Sequence, residues 1–342
     1  MADALLSPTV GATMWAGSVA AIGYSSKKLK ENLDNKTIPL MGIMGAFIFA
    51  AQMINFTIPG TGSSGHIGGG MILAVLLGPY AAFLAIASVL VVQALFFADG
   101  GLLALGCNIW NLGIYPCFVA YPLIYKPIAG DATNTKRIFI AAIVSVIIAL
   151  QLGAFSVVLE TLLSGKSELP FGTFVLLMQP IHLAIGLVEG IITGGIILYV
   201  KQVRPEILEA NVAARPLDAG LSIRNVLVAF VILAVVTGGA LSWFASTYPD
   251  GLEWSIEKVT GKSELEEQKN SIALILKDIQ EKTAFLPDYG FRPAATEQKT
   301  DESSPVWPAI EPGTSVAGVV GSVIVLMLIV FIGFGIRLLK RR

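Results

Sequence analysis

The chain has two histidines, and each stands in a setting suited to ion chemistry. His66 lies in Gly62-Ser63-Ser64-Gly65-His66-Ile67-Gly68-Gly69-Gly70, where the glycines let backbone approach whatever the ring contacts. Neutral imidazole is a ligand for nickel, cobalt, copper and zinc, and it titrates near neutrality when unperturbed. One histidine is not a metal site, so two readings stay open: a ligand or proton-relay role, or a ring hydrogen-bonded to a neighbouring helix. His182 and Glu189 share the segment Pro180-Ile181-His182-Leu183-Ala184-Ile185-Gly186-Leu187-Val188-Glu189-Gly190. Their separation is about two helical turns, or about 10.5 Å of rise, which puts them on one face but too far apart to pair directly. A carboxylate inside an apolar helix must face a partner or a cavity. The two therefore read either as parts of a shared polar pathway or as makers of separate interhelical hydrogen bonds. Gln52, Asn55, Gln93, Asp99, Asn108 and Asn111 add polar groups around the same apolar frame. Asn108 and Asn111 are three apart and can look the same way.

No Walker lysine motif, dinucleotide-binding glycine fingerprint or HExxH helix is present, and Gly68-Gly69-Gly70 has no Lys-Ser or Lys-Thr after it. Catalysis is not supported. A solute handled by this chain must move passively or with energy borrowed from a partner.

The elements that position these residues belong in a membrane. Of the 342 residues, 54% are hydrophobic and 14% charged, against roughly 25% charged in a soluble domain. Mean hydropathy is +0.74. Apolar stretches near 20 residues recur, each long enough to cross a hydrocarbon layer of about 30 Å, so the expected class is an all-α, polytopic helical membrane protein. The formal charge of -1 offers no basic surface for nucleic acid, and Cys107 and Cys117 do not make a disulfide framework.

Hydropathy marks windows at about 9–26, 38–56, 70–98, 108–125, 138–160, 172–200, 224–246 and 315–336. Basic residues concentrate on the cytoplasmic side of short loops. Here they cluster as Lys27, Lys28, Lys30 and Lys36; as Lys126, Lys136 and Arg137; as Lys201, Arg204, Arg215 and Arg224; and as Arg337, Lys340, Arg341 and Arg342. If 70–98 were one crossing, the first cluster would stand opposite the others. Gly78-Pro79 supplies a break, because proline lacks an amide hydrogen and disfavours helix before it. A broken crossing over 58–78 and a full helix over 80–98 then bring all four clusters to the cytoplasm. This predicts about nine membrane elements, with the amino terminus outside and the carboxyl terminus inside. Non-helical backbone at that depth must be buried in protein or line a wet cavity, so 60–70 is expected at an interior site. No basic n-region precedes the first helix, so a cleaved signal peptide is not expected.

The breaker-rich segment 204–223 reads as a cytoplasmic linker. It divides a transmembrane domain over 1–203 from a two-span domain over 224–342, whose outer loop, 247–313, holds 13 acidic and 7 basic residues. That loop is either simply solvated or gathers cations outside the membrane. Within it, 270–277 reads as a short amphipathic helix and 293–314 as a flexible connector.

With these residues in hand, the chain resembles the CbiM/NikM family, the substrate-binding membrane component of energy-coupling-factor transporters for cobalt and nickel. The matching blocks include Ala4-Leu5-Leu6-Ser7-Pro8, Gly65-His66-Ile67-Gly68-Gly69, Leu76-Leu77-Gly78-Pro79-Tyr80, Gln93-Ala94-Leu95-Phe96-Phe97-Ala98-Asp99-Gly100-Gly101, Gly106-Cys107-Asn108-Ile109-Trp110-Asn111-Leu112-Gly113 and His182-Leu183-Ala184-Ile185-Gly186-Leu187-Val188-Glu189-Gly190. They cover most of 1–200. Pro249-Asp250-Gly251-Leu252-Glu253 resembles a PDGLE-type domain, similar in layout to the two-span auxiliary subunit of these transporters.

The resemblance implies capture of Co²⁺ or Ni²⁺ as transported substrate, with no permanently bound cofactor. It implies two partners, an energy-coupling transmembrane subunit and a cytoplasmic ATP-binding cassette ATPase that does the hydrolysis, and a place in the cell (inner) membrane. In the family the ion is held by the free amino terminus, a histidine at the second position and a histidine in the glycine-rich loop, which matches His66. The second position here is Ala2. Aligning Asp3 with the acid of the family's Met-His-x-x-Asp/Glu start places Met1 at the third position, so a start two residues upstream, Met-His-Met-Ala-Asp, is expected. Asp3, Asn108 and Asn111 are expected to position the loop or amino terminus, and His182 and Glu189 to be structural or coupling residues. The competing readings are a stand-alone secondary metal or proton-coupled transporter with His182 and Glu189 as relay, and a non-transporting membrane sensor or scaffold.

Overall fold

The computed structural model describes residues 1–34, 36–218, 220–263, 265, 271–292 and 307–340. Helix α1 (Pro8–Asn32) begins where the Ser7 hydroxyl accepts the Val10 amide and Pro8 fills the first turn, where its missing N–H costs nothing. After α2 (Thr37–Gln52) the chain forms a small antiparallel hairpin, β1 (Phe56–Ile58) with β2 (Ser63–Gly65), Phe56 opposite Gly65. This hairpin was not foreseen. The loop carrying His66 follows, then α3 (Gly70–Leu77) and α4 (Pro79–Phe97). The break between these two falls at Gly78, where φ is +78°.

Beyond α4 come α5 (Leu105–Ile109), a wide π-helical stretch over Trp110–Tyr125 that holds Pro116 and Pro122, and α6 (Lys126–Ala129). Helices α7 (Thr135–Leu163) and α8 (Phe171–Val203) form an antiparallel pair. Their close approach is set by a stripe of small residues on α8: a Cβ at Gly190 would lie 2.8 Å from Ile143 Cα, and one at Gly194 would lie 2.5 Å from the Phe139 ring. Without a hydrophobic drive between helices in lipid, such small-residue contact is what holds helices together. The remaining helices are α9 (Pro205–Val212), α10 (Arg224–Gly239), α11 (Gly251–Thr260), α12 (Ser271–Thr283) and α13 (Pro312–Lys340).

The protein is mostly helical. Helices α4, α7, α8 and α13 are long and apolar enough to cross a membrane, and α2 and α10 are shorter apolar helices. Helix α4 is central. Phe97 at its end packs on Phe49 of α2 at 5.2 Å between ring centres. The last apolar helices join the same core rather than hanging from it. Gly45 of α2 accepts the side chains of Ile329 and Val325, Gly238 of α10 meets Gly318 of α13 backbone to backbone, and Phe230 packs on Phe47.

The segment 204–223, expected as a plain linker, contains α9 with Ile207, Leu208 and Ala210 buried. Asn211 donates to Val75 O, and the Tyr121 hydroxyl donates to Asn211 O. The amphipathic helix expected at 270–277 corresponds to α12, apart from Asn270, which lies outside the described residues. The connector expected over 293–314 lies outside them as far as residue 306, and α13 begins at Pro312.

Candidate functional site

The glycine-rich turn is held from three directions. Gly69, in the left-handed region at φ +76°, turns the chain into α3. Its amide donates to Glu189 Oε1 at 2.9 Å, across from α8. Gln52 Nε2 donates to Gly68 O, and Gln93 Nε2 donates in turn to Gln52 Oε1, both at 2.9 Å. On the far side, Ser64 joins the carboxyl-terminal third of the chain. Its amide donates to Pro249 O at 2.8 Å and its hydroxyl to Tyr248 O at 2.7 Å.

His66 and His182 present the same face of the imidazole. His66 Nδ1 lies 3.0 Å from Ile67 O, and His182 Nδ1 lies 2.8 Å from Met178 O. A carbonyl only accepts, so each Nδ1 carries a hydrogen, and in the neutral ring the lone pair that can ligate a metal is then on Nε2. Both rings line a cavity of about 160 Å³, together with Met1, Asn108, Asn111, Glu189 and Asp250. Apolar side chains of α7 and α8, among them Leu150, Val157 and Ile185, complete the wall. Two acceptors of this lining are buried without a hydrogen-bond partner, Glu189 Oε2 and Asn111 Oδ1. Among the described residues, no three of His, Cys, Asp and Glu are grouped to hold a metal ion by themselves.

Outside this cavity lies a vestibule of about 510 Å³ edged by Asp3, Asp99, Asp250, Glu253 and Asp288. Met1, His66, Asp250 and Leu252 line both spaces and so form the throat between them. The amino-terminal turn is fixed at its rim. Gly101 donates to Met1 O at 3.2 Å, and Asp3 Oδ1 accepts the Ala104 amide at 2.8 Å. A Cβ at Gly101 would stand 1.8 Å from Asp3 Oδ1, so the turn fits only against glycine. The Tyr289 hydroxyl donates to Asp99. Burial and the Asp99 charge keep this phenol protonated, and the same two causes push Asp288 above the ordinary carboxylate range.

The segment Pro249–Leu252 roofs the cavity. Asp250 caps α11 by accepting the Leu252 and Glu253 amides at 2.8 Å, while Glu253 accepts the Asp250 amide at 3.1 Å. Trp254 Nε1 donates to Thr61 O at 3.0 Å, tying α11 to the hairpin.

The comparisons with known proteins fit this arrangement. The family described as "Cobalt uptake substrate-specific transmembrane region" matches residues 1–207. This chain belongs to that family. The PDGLE domain matches residues 224–338. The chain is 34% identical to "Putative fused nickel transport protein NikMN" of Archaeoglobus fulgidus over 332 residues, 95% of each chain. It is 32% identical to "Fused nickel transport protein NikMN" of Rhodobacter capsulatus over 60% of this chain and 62% of that protein. A solved structure described as a transition metal transporter aligns with a TM-score of 0.53 at 33% identity, over 61% of this chain and 96% of that one.

Of the residues singled out in the sequence, His66, Asn108, Asn111, His182 and Glu189 meet at this cavity. Asp3 stands apart, on the vestibule rim. One group escaped notice: Glu160 of α7, 4% exposed, accepts from Asn111 Nδ2 at 3.2 and 3.1 Å and from the Ser156 hydroxyl at 3.2 Å. Its signal was a carboxylate inside Val157-Val158-Leu159-Glu160-Thr161-Leu162-Leu163.

Proposed function

We propose that this chain is the substrate-capturing component of an ATP-driven energy-coupling-factor importer for Ni²⁺ or Co²⁺. The observation that carries the reading is His66, which lines both the acidic vestibule and the inner cavity and lies in a turn held by Glu189 and Gln52. The nickel and cobalt transport named for its relatives supplies the substrate class. In this reading acidic groups draw the cation to the throat, and His66 Nε2 binds it together with nitrogens of the amino-terminal end, where Met1 lines the same spaces. Asp3 positions that end, and Asn108 and Asn111 position the cavity wall. His182 and Glu189 serve as structural or coupling residues.

The vestibule faces outward and the carboxyl terminus lies in the cytoplasm, with about nine membrane elements divided into a capture domain over 1–203, a cytoplasmic linker over 204–223 and a two-span domain over 224–342. ATP hydrolysis belongs to a separate cassette ATPase, reached through a transmembrane coupling subunit.

A stand-alone proton-coupled transporter is the second reading, favoured by His182 and Glu189 lining one cavity. Uptake of labelled Ni²⁺ and Co²⁺ by cells expressing the chain with and without its ATPase separates the two. Uptake that needs the ATPase supports the importer, and unchanged uptake without it supports the second reading.

A further inference from the structure

Helix α12 presents an apolar side that no described residue covers. Ile272, Ile275 and Ile279 recur at the spacing of one helix face, yet they are 49%, 60% and 42% exposed. The adjoining face is seated on the protein. Leu276 packs, beside Met1, Val10 and Met14, on the buried cluster of Leu6, Leu103, Ala104 and Cys107, and Gln280 Nε2 donates to Ala94 O at 2.9 Å and to Gly100 O at 2.8 Å. The side across from the isoleucines carries Lys277 and Glu281, both exposed, while Lys282, paired to Asp278 at 2.5 Å, edges the isoleucine face beside Ile275.

The depth of this helix follows from Gln280. Ala94 lies in the last turn of α4, one of the helices able to cross a membrane, so α12 runs where α4 leaves the hydrocarbon. Just beyond α12, the Phe285 ring packs on Phe96 and Phe97 at the same end of α4 while remaining 45% exposed. A helix with an isoleucine face, a charged face and this position has the form of one lying in the membrane interface.

We propose that α12 is an interfacial helix, with Ile272, Ile275 and Ile279 inserted between the lipids of the outer leaflet. Because Ala273, Lys277 and Gln280 of the same helix line the vestibule, lipid holds one wall of the entrance in place. The inference rests on α4 and α13 crossing the bilayer as read above.

The test uses the full chain in phosphatidylcholine nanodiscs carrying an environment-sensitive fluorophore on a single introduced cysteine. Native Cys107 and Cys117 are buried, so the unaltered chain supplies the labelling blank. Ile275→Cys and Glu281→Cys report the isoleucine side and the charged side of α12, and Phe331→Cys, 78% exposed on α13, reports a crossing helix. Nitroxide-bearing phosphatidylcholine is the quencher, with the nitroxide near the headgroup or near the chain end. The expected result is blue-shifted emission at Ile275→Cys, quenched roughly twofold or more by the shallow nitroxide, with water-like emission at Glu281→Cys. Water-like, unquenched emission at Ile275→Cys beside a quenched Phe331→Cys overturns the interfacial helix and spares the crossing. Blue-shifted emission without lipid quenching assigns the face to a protein partner and also overturns the proposal. If neither Ile275→Cys nor Phe331→Cys is quenched, the membrane reading itself fails.

Discussion

Removing the Glu189 carboxylate tests whether the His66 turn is held from α8. The Gly69 amide donates to Glu189 Oε1 at 2.9 Å in a site where the carboxylate is 1% exposed. Hydrogen bonds to a charged group contribute about 1.5–3 kcal/mol, and the amide left behind by Glu189→Ala would be buried without an acceptor. At about 1.4 kcal/mol per factor of ten, metal binding that needs the formed turn should weaken roughly 10- to 150-fold. Glu189→Gln keeps an oxygen for the Gly69 amide and removes only the charge, so the difference between the variants separates turn geometry from attraction for the cation. Equilibrium dialysis of purified protein against labelled Ni²⁺ measures the affinities, and circular dichroism checks that helix content is retained. Wild-type affinity in both variants would refute the idea that Glu189 holds or charges this site.

Three further outcomes follow from the same geometry. Gly101→Ala places a methyl 1.8 Å from Asp3 Oδ1 and should push the amino-terminal turn off the vestibule rim, lowering Ni²⁺ retention in the same dialysis with helix content unchanged. Asp250→Ala removes a capping box and should destabilise α11 by about 0.5–2 kcal/mol, read as faster limited proteolysis within 251–260. Ni²⁺ at about 100 times its dissociation constant should stabilise the protein by about 2.7 kcal/mol, seen as a higher melting temperature, and His66→Ala should abolish that shift.

The membrane frame and most of the cavity were legible because each left a local mark. Apolar runs of crossing length, a glycine-rich stretch around His66, and single polar residues within helices such as Asn111 and Glu189 all stand out along one dimension. Helix α9 was hidden by its own start signal. Pro205 read as a breaker, although proline at the first helical position opens a helix, and Ile207 and Leu208 behind it are buried. Glu160 took its meaning from Asn111, 49 residues away, a pairing no local pattern announces. The hairpin strands have three residues each, too few for alternation to show. The roof of the cavity was the hardest to foresee. Pro249 and Tyr248 reach Ser64 through their carbonyl oxygens, and a main-chain contact leaves no trace in side-chain types.

That joint has a consequence for how the protein can be built. Carbonyls at 248 and 249, a serine amide and hydroxyl, and an indole donating to Thr61 O make the roof's part of the seam between the two family regions. None of these bonds depends on the peptide that connects 207 to 224, so two polypeptides divided there could form the same seam. Joining them in one chain alters concentration rather than chemistry: every cavity is made with its roof already at hand, in a ratio of one to one, whatever the level of expression.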